Sequence, residues 1–138
     1  MSKIFAGGCA CGAIRYEVSG SPAFVARCHC VDCRRASGGP NAVVAGFAKA
    51  SFAIKKGTPK GFDYKGDSGK GLRRNFCPEC GARLFTSDLG LWPDLVFVAI
   101  GSVDDPSSLE PGMDIYTKSA LPWDGAPREG TSFPQMPT

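Results

Sequence analysis

The sequence lacks long apolar runs, contains a single histidine and shows no extended helical periodicity. None of its apolar segments approaches the roughly 20 residues that a bilayer-spanning helix needs. The first eight residues also lack the apolar centre of a secretory signal peptide. We therefore expect no membrane contact and a cytoplasmic location. The missing helical periodicity predicts little helix, and a length of 138 residues predicts one domain spanning 1–138.

Short apolar segments between glycine and proline turns predict a mainly β fold. The continuous apolar segment within 94–100 is the strongest indication of a buried strand. After Cys33, the glycines and Pro40 leave room for at most one helical turn. We expect a core over about 5–123 and a turn-rich, loosely held tail over 124–138. The predicted strands cover 13–18, 23–27, 41–47, 51–55, 62–64, 72–76, 82–86 and 94–100.

Seven cysteines are the most informative feature of the composition. An odd number does not allow complete disulfide pairing, and closely spaced cysteines in a reducing compartment more often bind metal. Four plus three cysteines fit one closed and one open zinc site, so we expect two zinc ions per chain. The alternative is a redox dithiol together with buried free cysteines.

The spacing of the cysteines predicts which of them share a metal. Cys9/Cys11 and Cys77/Cys80 each supply two thiolates, and together they would form a closed site that joins the N-terminus to a hairpin at Cys77-Pro78-Glu79-Cys80. Cys28, Cys30 and Cys33 then remain as an open, reactive site. A rival pairing joins Cys28 and Cys33 to the hairpin and leaves Cys9 and Cys11 without a function.

His29 lies between two of these cysteines and is either a fourth ligand, a general base or a structural residue. Neighbouring side chains on an extended segment point in opposite directions, which favours the structural role. Cys30 and Cys33 can also act as a redox pair if no metal binds there. Arg34 and Arg35 follow directly and either bind a substrate carboxylate or lie on a solvated turn.

Several ordered motifs resemble the CENP-V/GFA family of glutathione-dependent formaldehyde-activating enzymes. The first is Gly8-Cys9-Ala10-Cys11-Gly12 followed by Ile14-Arg15-Tyr16, and the second is Cys28-His29-Cys30-Val31-Asp32-Cys33-Arg34. The hairpin motif is Phe76-Cys77-Pro78-Glu79-Cys80-Gly81. The C-terminal motifs are Gly101-Ser102-Val103-Asp104-Asp105-Pro106 and Ile115-Tyr116-Thr117-Lys118-Ser119 with Pro122-Trp123.

This resemblance implies a small, zinc-stapled β-tent of short antiparallel sheets. It implies structural roles for Cys9, Cys11, Cys77 and Cys80, and catalytic roles at the open zinc for Cys28, Cys30 and Cys33. It also places Lys118 and Ser119 beside the substrate. The implied activity is that of a carbon–sulfur lyase acting on a small thiol such as glutathione and an aldehyde such as formaldehyde.

Zinc with an open position favours the thiolate form of a bound thiol, and that thiolate can attack a carbonyl carbon. Asp104 and Asp105 are expected to stabilise a turn rather than to take part in catalysis. The competing function is a non-catalytic zinc module that binds a macromolecule. Basic residues are dispersed apart from Arg34–Arg35 and Arg73–Arg74, and aromatic residues are not interleaved with them. The pattern therefore disfavours nucleic acid as a partner, and the sequence assigns no oligomeric state.

Overall fold

A computed structural model of the protein describes residues 3–65, 69–124 and 131–136. Strands dominate these residues, which confirms the predicted mainly β fold. No helix among them is long and apolar enough to cross a membrane. The strands are β1 (Ile4–Gly8), β2 (Arg15–Ser19), β3 (Phe24–Cys28), β4 (Ala42–Ala48), β5 (Phe52–Lys56), β6 (Lys60–Lys65), β7 (Gly71–Phe76), β8 (Arg83–Ser87), β9 (Leu95–Ala99), β10 (Met113–Ile115) and β11 (Thr131–Ser132). The helices are α1 (Val31–Ser37) and the 3-10 turns Lys49–Ser51, Ile100–Ser102 and Thr117–Ser119.

The strands form two sheets. The smaller sheet has the order β1-β2-β5, and the larger has the order β11-β10-β3-β4-β9-β8-β7-β6. Strand β9, which carries the strongest apolar segment, lies between β4 and β8, so its backbone is paired on both edges. Strands β7 and β8 pair antiparallel around the Cys77–Cys80 turn, as the hairpin motif predicts.

The larger sheet is mixed rather than wholly antiparallel. Strand β10 pairs in parallel with β3 on one edge and with β11 on the other. Residues 131–136 are therefore held against β10 and the residues that follow it. Phe133 N–H donates to Asp114 O at 2.8 Å, and Tyr116 N–H donates to Gln135 O at 3.2 Å. The expectation of a loosely held tail does not hold for these six residues, and residues 125–130 and 137–138 lie outside the described part of the chain.

Helix α1 is longer than the single turn expected after Cys33, and it begins before that residue. Cys30 is the N-cap in extended conformation, and its sulfur accepts a hydrogen bond from Cys33 N–H at 3.1 Å. Gly38 ends the helix with φ of 75°, where its N–H donates to Arg34 O. A thiolate at the N-cap can take the role that Ser or Asp usually fills, so the cysteine motif itself starts the helix.

The hydrophobic core lies between the two sheets and is rich in aromatic side chains. Tyr16 from the smaller sheet is fully buried and stacks on Phe52 with ring centroids 5.2 Å apart. Phe52 in turn packs against Phe85 of β8, with ring centroids 4.5 Å apart. The Tyr16 hydroxyl lies 2.6 Å from Ser102 Oγ, so the one polar atom of this ring is hydrogen-bonded inside the core.

Candidate metal centres and the adjoining cavity

Two turns that are far apart in sequence bring four cysteines together. Cys9 and Cys11 lie in the turn after β1, and Cys77 and Cys80 lie in the turn between β7 and β8. All four sulfurs are within 4.8 Å of one another, and Cys11 Sγ lies 3.8 Å from Cys77 Sγ. We refer to these residues as the four-cysteine group, and they can hold a metal ion.

Backbone N–H groups surround the sulfurs of the four-cysteine group. Ile14 N–H donates to Cys9 Sγ at 3.2 Å, and Glu79 N–H donates to Cys77 Sγ at 3.4 Å. The backbone N–H groups of Ala82 and Cys11 lower the pKa of Cys80 to about 6. Such hydrogen bonds stabilise thiolates, which are the form that binds metal.

The second group consists of Cys28, Cys30 and Cys33, and we call it the three-cysteine group. Cys28 is the last residue of β3, Cys30 is the N-cap of α1, and Cys33 lies in the first turn of that helix. Their sulfurs also lie within 4.8 Å of one another. The structure therefore places Cys77 and Cys80 with Cys9 and Cys11, and not with Cys28 and Cys33 as in the rival pairing.

The electrostatics of the three-cysteine group favour a thiolate at Cys33. Hydrogen bonds from the Cys28 and Cys30 thiols lower the pKa of Cys33, and the positive charges of Arg74 and Arg83 lower it further. The same mutual contacts raise the pKa of Cys28, which is buried at the end of β3. Three thiolates at this separation repel one another unless a cation binds between them. The group therefore fits a thiolate-binding metal such as zinc.

His29 points away from the sulfurs, into a buried polar cluster. Its Nε2 lies 2.8 Å from Asp114 Oδ1, and its Nδ1 lies 3.1 Å from Asp124 Oδ2 without the alignment of a hydrogen bond. Asp114 Oδ1 also lies 2.9 Å from Arg27 Nε, and Asn41 Nδ2 donates to Asp124 Oδ2 at 2.9 Å. Both ring nitrogens therefore face carboxylates, which agrees with the structural role and leaves no nitrogen for the three-cysteine group.

A cavity of about 270 Å³ opens beside the three-cysteine group. All three cysteines of the group contribute to its wall, whereas no member of the four-cysteine group does. The rest of the wall is largely apolar, and Trp92 and Phe97 pack together there with ring centroids 5.8 Å apart. The three-cysteine group thus faces a space of small-molecule size.

The predicted substrate-binding residues divide between cavity and surface. Ser119 lines the cavity, whereas Lys118 is exposed and does not line it. Arg34 and Arg35 lie in the last turn of α1, and neither reaches the cavity wall. Residues one and two positions apart on a helix do not share a face, so Arg34 and Arg35 lie on other faces of α1 than Cys33.

Asp104 and Asp105 occupy a surface turn, as expected. Asp104 forms a bidentate ion pair with Arg15, which lowers the pKa of its carboxyl group. Asp105 accepts hydrogen bonds from the Ser107 hydroxyl at 2.7 Å and the Ser107 N–H at 3.2 Å. Neither carboxylate lines the cavity of the three-cysteine group.

Two arginines that the sequence reasoning missed lie in the cavity wall. Arg74 of β7 donates a short hydrogen bond to the Tyr64 hydroxyl. Burial alone would lower the pKa of Arg74, but this hydrogen bond and the nearby Cys33 sulfur raise it. Arg83 of β8 reaches the same cavity as Thr86, although residues three apart on a regular strand face opposite sides. The pairing of β7 with β8 shifts register between Asn75 and Phe76, and this irregularity places Arg83 on the same side of the strand as Thr86.

Comparisons with known proteins identify relatives of the chain. The family described as "GFA: Glutathione-dependent formaldehyde-activating enzyme" matches residues 4–119. A curated protein of Halomonas elongata, named "Putative glutathione-dependent formaldehyde-activating enzyme", is 31% identical over 103 residues. That match covers 71% of this chain and 64% of the relative, so the chain spans less than two thirds of the relative's length. A crystal structure of a Rhodobacter sphaeroides protein has the same fold, with a TM-score of 0.58, 24% identity, and coverage of 77% of this chain and 96% of that one.

Proposed function

The chain belongs to the family of glutathione-dependent formaldehyde-activating enzymes, and from this membership we propose that it is a zinc-dependent enzyme of the carbon–sulfur lyase type. Its substrates would be a small thiol and an aldehyde, and its product an S-hydroxyalkyl adduct, which the reverse reaction cleaves. The observation that carries the proposal is that all three members of the three-cysteine group line one largely apolar cavity, whereas Cys9 is the only member of the four-cysteine group that lines a cavity among the described residues, a more polar one of about 590 Å³.

The two cysteine groups would then have different tasks. Cys9, Cys11, Cys77 and Cys80 supply four thiolates, which complete a tetrahedral zinc site and join the N-terminal turn to the β7–β8 hairpin. Cys28, Cys30 and Cys33 supply three, which leaves one position for an exogenous ligand. Two zinc ions per chain follow from this division.

Zinc held by the three-cysteine group would supply the acidity that makes a bound substrate thiol a thiolate at neutral pH. In adduct formation the sulfur–carbon bond forms, the carbon–oxygen π bond breaks, and the carbonyl oxygen gains a proton that balances the one lost by the thiol. Ser119 lines the cavity, and we propose that its hydroxyl donates a hydrogen bond to this oxygen as negative charge develops on it. The apolar wall at Trp92 and Phe97 would limit the access of water.

Glutathione and formaldehyde are the substrates that the family description names, and they are the first candidates for this chain. We propose the cytoplasm as its compartment, because none of the seven cysteines forms a disulfide and a reducing environment would keep them available to bind metal. A macromolecular partner is less well supported. The cavity that all three members of the three-cysteine group line has a volume of about 270 Å³, which suits a small molecule rather than a chain.

The test begins with the metal content of the purified protein by native mass spectrometry, where two zinc ions per chain are expected. NMR exchange spectroscopy with labelled formaldehyde then measures the rate at which thiol and adduct interconvert, for glutathione, cysteine and 3-mercaptopropionate. We expect acceleration over the uncatalysed exchange for at least one thiol, and its loss in Cys30→Ser. A two-zinc protein that accelerates the exchange of none of these thiols would refute the proposed function.

A further inference from the structure

The cavity of the three-cysteine group contains two guanidinium groups without a carboxylate partner. Arg74 and Arg83 both line it. Among the described residues, the ion pairs formed by arginine involve Arg15, Arg27 and Arg73, and neither cavity arginine takes part in one. Like charges placed together in a partly buried site destabilise the protein unless an anion is nearby.

The two arginines differ in their hydrogen-bond partners. Arg74 donates to the Tyr64 hydroxyl and interacts with the Cys33 sulfur, so its orientation is set by the protein. The Nε of Arg83 is buried and has no hydrogen-bond partner. Burial and the charge of Arg74 lower the pKa of Arg83, although a guanidinium remains protonated at neutral pH. Arg83 therefore lines the cavity as a charged guanidinium group that no hydrogen bond to a described residue holds in place.

Net charge alone does not call for a second anion in this cavity. Three thiolates around a divalent cation carry one net negative charge, and a bound substrate thiolate would make it two, which offsets Arg74 and Arg83. Asp32 and Lys70 also line the cavity, but both side chains are exposed and of opposite charge, and solvent screens them. What favours a carboxylate is therefore the guanidinium group of Arg83, which has no ion-pair partner among the described residues.

We propose that Arg83, supported by Arg74, binds a carboxylate of the substrate thiol, and that the preferred thiol is a short, carboxylate-bearing one. Much of the rest of the cavity wall is apolar and includes Leu72, Leu89, Trp92 and Phe97. It suits a hydrocarbon spacer between the thiol and the carboxylate. This inference rests on the proposed function, because it assumes that the thiol binds at the three-cysteine group.

Two ligands that differ only at the charged end test the proposal without any variant. Isothermal titration calorimetry of the two-zinc protein would compare 3-mercaptopropionate with its methyl ester. A charge-assisted hydrogen bond contributes about 1.5–3 kcal/mol, so we expect the acid to bind at least about 10-fold more tightly. Equal affinities of acid and ester would refute the carboxylate subsite.

Variants then assign the preference to a residue. Arg83→Gln should bring the affinity for the acid close to that for the ester, while leaving the affinity for the ester within about twofold. Arg73→Gln is the matched control, since Arg73 is a neighbouring arginine of β7 that pairs with Asp63 at 3.3 Å outside the cavity. It should keep the full preference. A preference that survives in Arg83→Gln would refute the role of this residue.

The outcomes separate this proposal from the one on which it rests. If both thiols bind equally well and exchange is still accelerated, the enzyme assignment stands and the carboxylate subsite is wrong. If neither thiol binds but glutathione or cysteine exchange is accelerated, only the carboxylate subsite is wrong; if neither binds and no thiol is accelerated, both proposals are wrong. The calorimetric readout does not depend on turnover, so a slow reaction leaves the test intact.

Discussion

His29 Nε2 lies 2.8 Å from Asp114 Oδ1, although the two residues are separated by 85 positions. Strand β10 runs parallel to β3 with Asp114 paired to Arg27, which brings its carboxylate to the imidazole. His29 is only 4% exposed, so this contact lies in the interior. The single histidine next to the three-cysteine group therefore links the end of β3 to the C-terminal segment, and we predict that it does not bind metal.

His29→Ala should destabilise the fold but keep two metal ions per chain. The substitution leaves the buried carboxylate of Asp114 with one partner fewer, which we expect to cost about 2–4 kcal/mol in free energy of unfolding. Urea denaturation and native mass spectrometry would measure the two quantities. Asp114→Ala removes the same contact together with the ion pair to Arg27, so it should destabilise the fold at least as much. Loss of one metal ion with unchanged stability would show that His29 is a ligand.

Cys30→Ser should remove the metal ion of the three-cysteine group and preserve the fold. Serine is a favoured N-cap, so it can keep the hydrogen bond from Cys33 N–H that starts α1, whereas a thiolate ligand is lost. We expect one metal ion per chain, an unchanged circular dichroism spectrum and no acceleration of thiol exchange. Retention of both metal ions and full activity would contradict the assignment of Cys30.

Cys77→Ser should be far more disruptive than Cys30→Ser. Cys77 is fully buried, and its sulfur accepts hydrogen bonds from Glu79 N–H and Cys80 N–H while facing the N-terminal turn. Loss of a closed metal site should lower the free energy of unfolding by at least about 3 kcal/mol, because metal binding and folding are coupled there. Chelator treatment of the wild type, followed by calorimetry, should give a similar loss. Equal melting temperatures for Cys77→Ser and Cys30→Ser would argue against a structural role for the four-cysteine group.

Tyr16 makes stability sensitive to alkaline pH. Burial raises the pKa of its hydroxyl to about 12, above its ordinary value of 10.0, so the fold favours the neutral form. Between these two values the unfolded chain loses the Tyr16 proton first. Its contribution is therefore constant below about pH 9, and stability falls by at most about 3 kcal/mol as the pH rises through this range.

Tyr16→Phe isolates that contribution. At pH 7 the variant should be less stable by about 1 kcal/mol, because the hydrogen bond to Ser102 is lost. Above pH 10 the difference should shrink or reverse, since phenylalanine does not ionise. Other titrating groups are common to both proteins and cancel when urea midpoints are compared at each pH. Parallel stability curves up to pH 12 would contradict the burial effect.

Much of this architecture is encoded locally and could be predicted. Alternation and turn residues locate most strands, because they depend on which face of a short segment is buried. The hairpin around Cys77 and Cys80 is likewise a local motif. What local patterns did not predict are the start of α1 at Val31, where a cysteine sulfur acts as N-cap, and the parallel pairing of β10.

The sequence by itself determined a mainly β chain with four plus three cysteines, because strand periodicity and ligand spacing are properties of neighbouring residues. Only the tertiary structure decided which of these cysteines faces a cavity and which side chains face the cysteines. Arg83 reaches that cavity through a register irregularity, and His29 meets Asp114 through the pairing of β10 with β3. Both depend on contacts between strands distant in sequence, which no local pattern records. The Cys28–Cys33 motif can therefore be recognised in the sequence, whereas the arginines beside it in the cavity and the direction it faces depend on the fold.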